Sequence, residues 1–399
     1  MKERDFPVKA ALASALSLAL AACAVMPRAP AVTFEDDMAI IAATDTDRRG
    51  FYDLTVPADQ AEYADDILGQ TYSLLGREDL TARTSDEYRP AACELHRSGA
   101  AGEDAVLDAI VAGIGDARVV IVNESHVVTR HRGFSAALAK RLRPLGFTHF
   151  GAETFSNWAD GTPPIVESMR LPYPRDVDGY YSTEAGFGRL LRTVKRLGYI
   201  PFAYEDHIQR DRTASVAQRI AWREEFQAAA IADALAAAGP EARMLVHVGY
   251  SHAQETPVVF GDGREDYWMA ARLKRDHGID PLTISQFQCR DETGPVRLAG
   301  EGPDAPPGAF DFVVAHPVTR FAGGRPLWRE RAGDVRVPVP AELRPVSGAH
   351  VVEARLSGEP DEAIPMDRVL VYPDEEIDLL LPPGRYRLRA VVARTQAPD

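Results

Sequence analysis

Basic residues are scarce in this 399-residue chain: 45 Lys and Arg stand against 59 Asp and Glu, a formal net charge of −14. A chain this acidic repels a phosphate backbone, which makes it a poor nucleic-acid binder. Long apolar runs are missing too. The stretch at residues 10–22 has 13 residues, too few to cross a bilayer as a helix. Cysteine is nearly absent, with three in the chain, Cys23, Cys93 and Cys289. No internal repeat and no low-complexity tract is found. What is present, 45% apolar residues over this length, buries a large core and suffices for two or three domains.

The short apolar stretch follows a charged start, Met1-Lys2-Glu3-Arg4, and ends in small residues, the pattern of an export signal. Leu20-Ala21-Ala22-Cys23 resembles a bacterial lipobox. That resemblance implies that residues 1–22 are a signal peptide and that Cys23 is lipidated as the mature amino terminus. Ala24 stands where inner-membrane lipoproteins usually carry Asp, which implies the periplasmic face of the outer membrane. Residues 23–34, with Pro27 and Pro30, read as a tether. Losing Lys2, Arg4 and Lys9 together with Glu3 and Asp5 moves the net charge to −15, so the anchor rather than charge is the expected hold on the membrane. In an oxidising compartment Cys93 and Cys289 can pair, and a disulfide tying the segment before the core to the core is expected.

Residues 35–103 hold one helix-like stretch, 57–75, in a polar remainder, and are expected to form an amino-terminal extension packed on the core. From Asp104 the rhythm becomes regular. Helical patterns at 105–114, 132–145, 189–197, 214–238 and 266–276 alternate with strand-like runs at 119–122, 148–152, 200–204, 244–248, 282–287 and 310–315. Such alternation predicts an α/β fold over residues 104–330, with a mostly parallel sheet flanked by helices. Gly146, Gly198 and Gly278 fall where helix C-caps belong. An insertion at about 155–185, carrying Tyr173, Tyr180 and Tyr181, is either a lid over the strand ends or a surface loop. Short β-type runs at 335–339, 350–356, 368–372, 376–381 and 386–392 predict a small all-β, sandwich-like domain over residues 335–399. There Leu381-Pro382-Pro383-Gly384-Arg385-Tyr386 forms a turn that feeds a strand.

Three of the strand-like runs in the core end in titratable residues. The first runs into Asn123-Glu124-Ser125-His126, the second into Glu153, and the fourth into Tyr250-Ser251-His252. In a parallel sheet, residues just past the carboxyl ends of different strands share one cleft. One such His or Glu alone ordinarily serves as a hydrogen-bonding group; two Glu and two His gathered at one edge point to chemistry. A carboxylate beside a His orients its tautomer and raises its proton affinity, the arrangement of a general base. Glu124, His126, Glu153 and His252 are also the donor types for Zn²⁺ or Mn²⁺, although their spacing matches no compact metal motif. Glu205, Asp206 and His207 after the third strand, and His316 after the last, widen the cleft. His131, His149 and His247 read as packed residues.

Val120-Ile121-Val122-Asn123-Glu124-Ser125-His126, Phe150-Gly151-Ala152-Glu153 and Gly249-Tyr250-Ser251-His252 resemble the superfamily that joins erythromycin esterases, ChaN-type haem-binding lipoproteins and Tiki/TraB-type proteases. The resemblance covers about residues 104–330. It maps that superfamily's Glu-x-His, second-strand Glu and Gly-x-x-His onto Glu124, His126, Glu153 and His252, and it suggests that Arg223 binds a substrate oxyanion or carboxylate. Asn123 replaces the superfamily's Gly, and the Glu-x-His spacing is nearer the ChaN branch. The expectation is a lipid-anchored hydrolase of esterase or amide-cleaving type acting on a small-molecule or peptide substrate, with a divalent metal as an open variant. Two alternatives are a haem- or iron-binding lipoprotein without turnover, with Tyr180, Tyr181 and Tyr250 among the available ligands, and a degenerate scaffold whose β domain binds a partner or glycan.

Overall fold

The structure, a computed structural model, describes residues 31–43, 51–85, 91–93, 100–155, 164–205, 213–259, 263–291, 294–300 and 306–395. Residues Val32–Asp399 belong to one compact unit. Cys23, Asp206 and His207, with the signal peptide, lie outside the described residues. The principal elements are β1 (Val32–Ala42), α1 (Ala64–Leu74), α2 (Glu78–Thr84), α3 (Glu103–Gly113), β2 (Val119–Glu124), α4 (Arg130–Leu142), β3 (Phe147–Ala152), α5 (Ala185–Arg196), β4 (Ile200–Phe202), α6 (Val216–Ala238), β5 (Arg243–Gly249), α7 (Met269–His277), β6 (Leu282–Ser285), β7 (Arg290–Asp291), β8 (Arg297–Ala299) and β9 (Phe312–Pro317). They are followed by β10 (Val335–Pro338), β11 (His350–Leu356), β12 (Asp367–Val371), β13 (Asp378–Leu381) and β14 (Gly384–Val392).

The core is an α/β sheet in the order β8-β9-β6-β2-β5-β3-β4, with β7 beside β9. All of its pairings are parallel except that of β8 with β9. Strand alternation sorts the apolar side chains onto two faces. Val120 and Val122 pack with α3, α4 and α5, whereas Val119 and Ile121 pack with α6 and α7. Burial on both faces is why these strands read as continuous apolar runs. Gly146 and Gly278 end helical segments in the left-handed conformation, at φ 87° and 65°, which only glycine adopts without strain. The chain runs β2, β3, β4 outward and then returns to lay β5 between β2 and β3. The carboxyl end of β5 is thus flanked by those of β2 and β3, with Glu124 level with Gly249 and the Glu153 N–H bonded to the His247 carbonyl at 3.0 Å.

The carboxy-terminal region is a separate, mostly antiparallel all-β structure. Its four-stranded sheet has the order β1-β14-β11-β12, and β10 pairs with β13. Tyr386 donates from its hydroxyl to the Pro382 carbonyl at 2.7 Å, which pins the turn leading into β14. Here the structure departs from the sequence reading. The expected tether is a strand from Val32 onward, and β1 joins the carboxy-terminal sheet in parallel with β14. The preceding segment therefore packs partly on the β region, because Phe51, Tyr52, Leu74 and Leu75 cover Val351, Leu370 and Val391. Cys93 and Cys289 form a disulfide beside a backbone bond from the Cys93 N–H to the Arg290 carbonyl, 2.9 Å long.

Candidate active site

Glu124 is the last residue of β2 and is 1% exposed. Its side chain continues the Val120–Val122 face, so it meets the first turn of α4. There Arg132, fully buried, donates from Nε to Glu124 Oε2 and from Nη2 to Oε1, both at 2.9 Å. The same guanidinium donates to Glu184 Oε2 at 2.8 Å and to the His126 carbonyl at 2.9 Å. Glu184 in turn caps α5, accepting from the Gly186 and Phe187 N–H groups at 2.7 Å each. Burial disfavours the Glu124 charge, but Arg132 and the nearby imidazoles prevail and hold its carboxyl well below the usual range.

His126 Nδ1 lies 3.1 Å from Glu124 Oε1, so the carboxylate fixes the ring proton on Nδ1 and leaves the Nε2 lone pair for the cleft. Nε2 is 3.9 Å from Glu153 Oε2. Tyr181 stacks on the imidazole with centroids 3.9 Å apart, and Tyr250 meets it edge-on at 4.7 Å. The described part of the insertion thus covers the end of β2, as a lid does.

A second His–Glu pair approaches from the opposite face of the sheet. His252 Nδ1 is 2.8 Å from the Glu224 carboxylate, which also accepts from the Met269 N–H at the start of α7 at 2.9 Å. His252 Nε2 faces Glu153 Oε1 at 3.6 Å. Burial works against protonating His252, but Glu224 and Glu153 outweigh it and raise its proton affinity. Glu153 sits between the two imidazoles. Its Oε2 accepts from the Gly249 N–H at 2.7 Å, and its Oε1 pairs with Arg223 Nη2. Burial pushes its pKa up, yet His252, His126 and Arg223 bring it down to about 2. Arg223 also donates from Nε to Glu205 at 3.0 Å, where Gln227 donates as well. A Cβ on Gly249 would stand 2.5 Å from the His126 ring, so the glycine is required by close approach.

Asn123 has a structural task. Its Nδ2 donates to the Tyr250 carbonyl at 2.7 Å and to Ser285 Oγ at 3.2 Å, and its Oδ1 accepts from the Gln286 N–H at 2.8 Å. It ties the ends of β2, β5 and β6 together and anchors Tyr250, whose φ of 44° is left-handed for a non-glycine residue.

The structure thus gathers Glu124, His126, Glu153, His252, Arg223 and Glu205 at one edge. His316 is turned elsewhere, with Nε2 3.0 Å from Gln286 Oε1 and its ring against His131 and Phe134. His247 is packed edge-on to Phe187 and 3.4 Å from Glu124 Oε2, and burial lowers its pKa to about 4. The sequence reading missed Arg132, Glu184 and Glu224. Arg132 and Glu224 lie in the buried stripes of α4 and α6, and a charge inside an apolar helical stripe was the available signal.

Among the described residues no group of three or more His, Cys, Asp or Glu is placed to hold a metal ion; Arg132 and Arg223 already occupy the carboxylates. His126 and His252 are each 7% exposed and Tyr181 lies over His126, whereas Tyr180 is 44% exposed. Among the described residues no helix is long and apolar enough to cross a membrane.

No family model and no curated protein matches the chain. Solved structures to which the chain shows similarity include the type III effector HopBA1, at 16% identity and a TM-score of 0.36 over 57% of this chain and 98% of that one. Another is RRSP, a MARTX toxin effector domain from Vibrio vulnificus, at 12% identity and 0.33 over 56% of this chain and 44% of that one. A third, from Bacillus cereus, has 10% identity and a TM-score of 0.33 over 76% of this chain and 97% of that one.

Proposed function

We propose that the protein is a hydrolase of esterase or amide-cleaving type within the erythromycin esterase, ChaN and Tiki/TraB superfamily, held by a lipid on Cys23 at the periplasmic face of the outer membrane. The observation that carries the reading is the pair of Glu-oriented histidines facing one carboxylate, His126 with Glu124 on one side of Glu153 and His252 with Glu224 on the other. His126, with its proton held on Nδ1, accepts a proton from water at Nε2. The water oxygen bonds to the scissile carbonyl carbon as its C=O electrons move onto oxygen, where Arg223 supplies positive charge. When the tetrahedral species collapses, the bond to the alcohol or amine breaks, and protonated His252 delivers its Nε2 proton to that leaving group. Glu153 stabilises the positive charge on whichever imidazole carries it. The two histidines end with exchanged protonation states, and solvent restores them.

General acid–base groups contribute about 10²–10⁴-fold each. The test is turnover of a broad panel of esters and peptides by the purified protein, with His126→Ala and His252→Ala each expected to lower kcat by that range while the fold is kept. A panel hydrolysed equally well by both variants refutes the proposal.

A further inference from the structure

One face of the carboxy-terminal sheet carries a cluster of buried charge that catalysis does not use. On that face, turned toward the amino-terminal segment, Glu353 of β11 lies opposite Arg368 of β12 and Arg389 of β14. Arg355, two residues along β11, shares the face by strand alternation. The Glu353 carboxylate is already engaged. Its Oε2 accepts from Arg355 Nε and Nη2 at 3.0 and 2.8 Å and from Arg389 Nε at 2.8 Å, and its Oε1 accepts from the Tyr52 hydroxyl at 2.6 Å.

Arg368 makes none of these hydrogen bonds; its guanidinium lies over the Tyr52 ring, 5.7 Å from the centroid. Its Nη2 is 3.1 Å from Glu353 Oε1 as an ion pair with a side chain only 1% exposed, yet Nε, Nη1 and Nη2 all lack a hydrogen-bond partner. A guanidinium has five N–H donors, and native interiors do not leave such donors unpaired. Asp176 from the insertion, the other carboxylate acting on this cluster, has a buried Oδ1 that is also unpartnered. Three guanidiniums thus face two carboxylates. Asp361, near Arg389, is 68% exposed and shared with Arg387, so it does not remove the buried excess. Water satisfies donors but cannot cancel charge, and an uncompensated buried charge is unfavourable.

We infer that the Arg368 guanidinium holds a small monovalent inorganic anion, which accepts the hydrogen bonds Glu353 cannot and neutralises the excess charge where the amino-terminal segment, the insertion and the β region meet. Chloride is the probe. Thermal unfolding of the full chain is followed as chloride is replaced by gluconate at constant ionic strength. The midpoint is expected to fall by about 2 °C per tenfold drop in chloride while the site is near saturation. Arg368→Met is expected to fold with an unchanged far-ultraviolet spectrum and to lose that dependence. Should the variant not fold, wild-type crystals grown in bromide decide the matter: an anomalous peak within hydrogen-bond reach of Arg368 supports the site. Ordered water there without a peak, or a wild-type midpoint set by ionic strength alone, overturns it.

Discussion

Replacing Arg132 by Met removes the charge while keeping most of the side chain's volume, and its consequences follow from the four hydrogen bonds this fully buried guanidinium makes. Glu184 keeps its two backbone N–H donors at 2.7 Å. Glu124 keeps His126 Nδ1, 3.1 Å away, and the His247 ring, 3.4 Å from its Oε2. Removing one partner of a buried pair in this way destabilises by about 3–5 kcal/mol at neutral pH, and the pH dependence identifies the cause. In the wild type the Glu124 carboxyl is held well below its unfolded value. Its stabilisation is therefore fully present above about pH 4.3 and is lost as pH falls through the folded value. In Arg132→Met burial dominates and the folded pKa lies above the unfolded one. Glu124 then favours the native state at acid pH, and this contribution is lost as pH rises through the new value. The gap between the two proteins should widen between about pH 3 and 7, by ~1.4 kcal/mol for each unit separating the two folded pKa values. Guanidinium denaturation across that range measures it. Parallel stability–pH curves would refute the assignment of Arg132 as the group that keeps Glu124 ionised.

Gly249→Ala sets a Cβ 2.5 Å from the His126 ring and 3.0 Å from Glu153 Oε2; overpacking of about 1–3 kcal/mol should appear in the denaturation midpoint together with a loss of turnover larger than that of Gly278→Ala. Because the proton affinity of His252 is raised, the pair it forms with Glu224 stabilises the fold below about pH 6.5 and ceases to do so as pH rises through the raised value. Glu224→Gln should move the alkaline limb of the kcat–pH profile to lower pH, and an unmoved limb removes His252 as the acid. The disulfide closes a loop with a sequence separation of 196, for which chain entropy sets a ceiling of about 5 kcal/mol; a Cys93→Ser, Cys289→Ser double variant should unfold at lower denaturant by up to that amount, and reductant should then have no further effect.

Much of the α/β core was legible because burial leaves a periodic trace. The strand-like runs, including the one ending at Ala152, and the helix C-caps at Gly146 and Gly278 all recur in the structure. Strand β4 is shorter than the apolar run at 200–204 that announced it, ending at Phe202. Pairing left no such trace. That β5 lies between β2 and β3, and that β1 reaches across more than three hundred residues to β14, follow from contacts between segments with no local signature.

The same division holds at the candidate site. Which residues stand at or just past strand ends, Glu124, His126, Glu153 and His252 among them, was determined by the sequence, since local hydrophobic pattern sets where a strand stops. What those side chains do to one another was decided by the tertiary structure. Only the packing of α4 and α6 on opposite faces of the sheet brings Arg132 to Glu124 and Glu224 to His252, and only the return of β5 places both histidines against Glu153. Proton affinity depends on charges within a few ångströms in a water-poor interior, and those distances are properties of the fold.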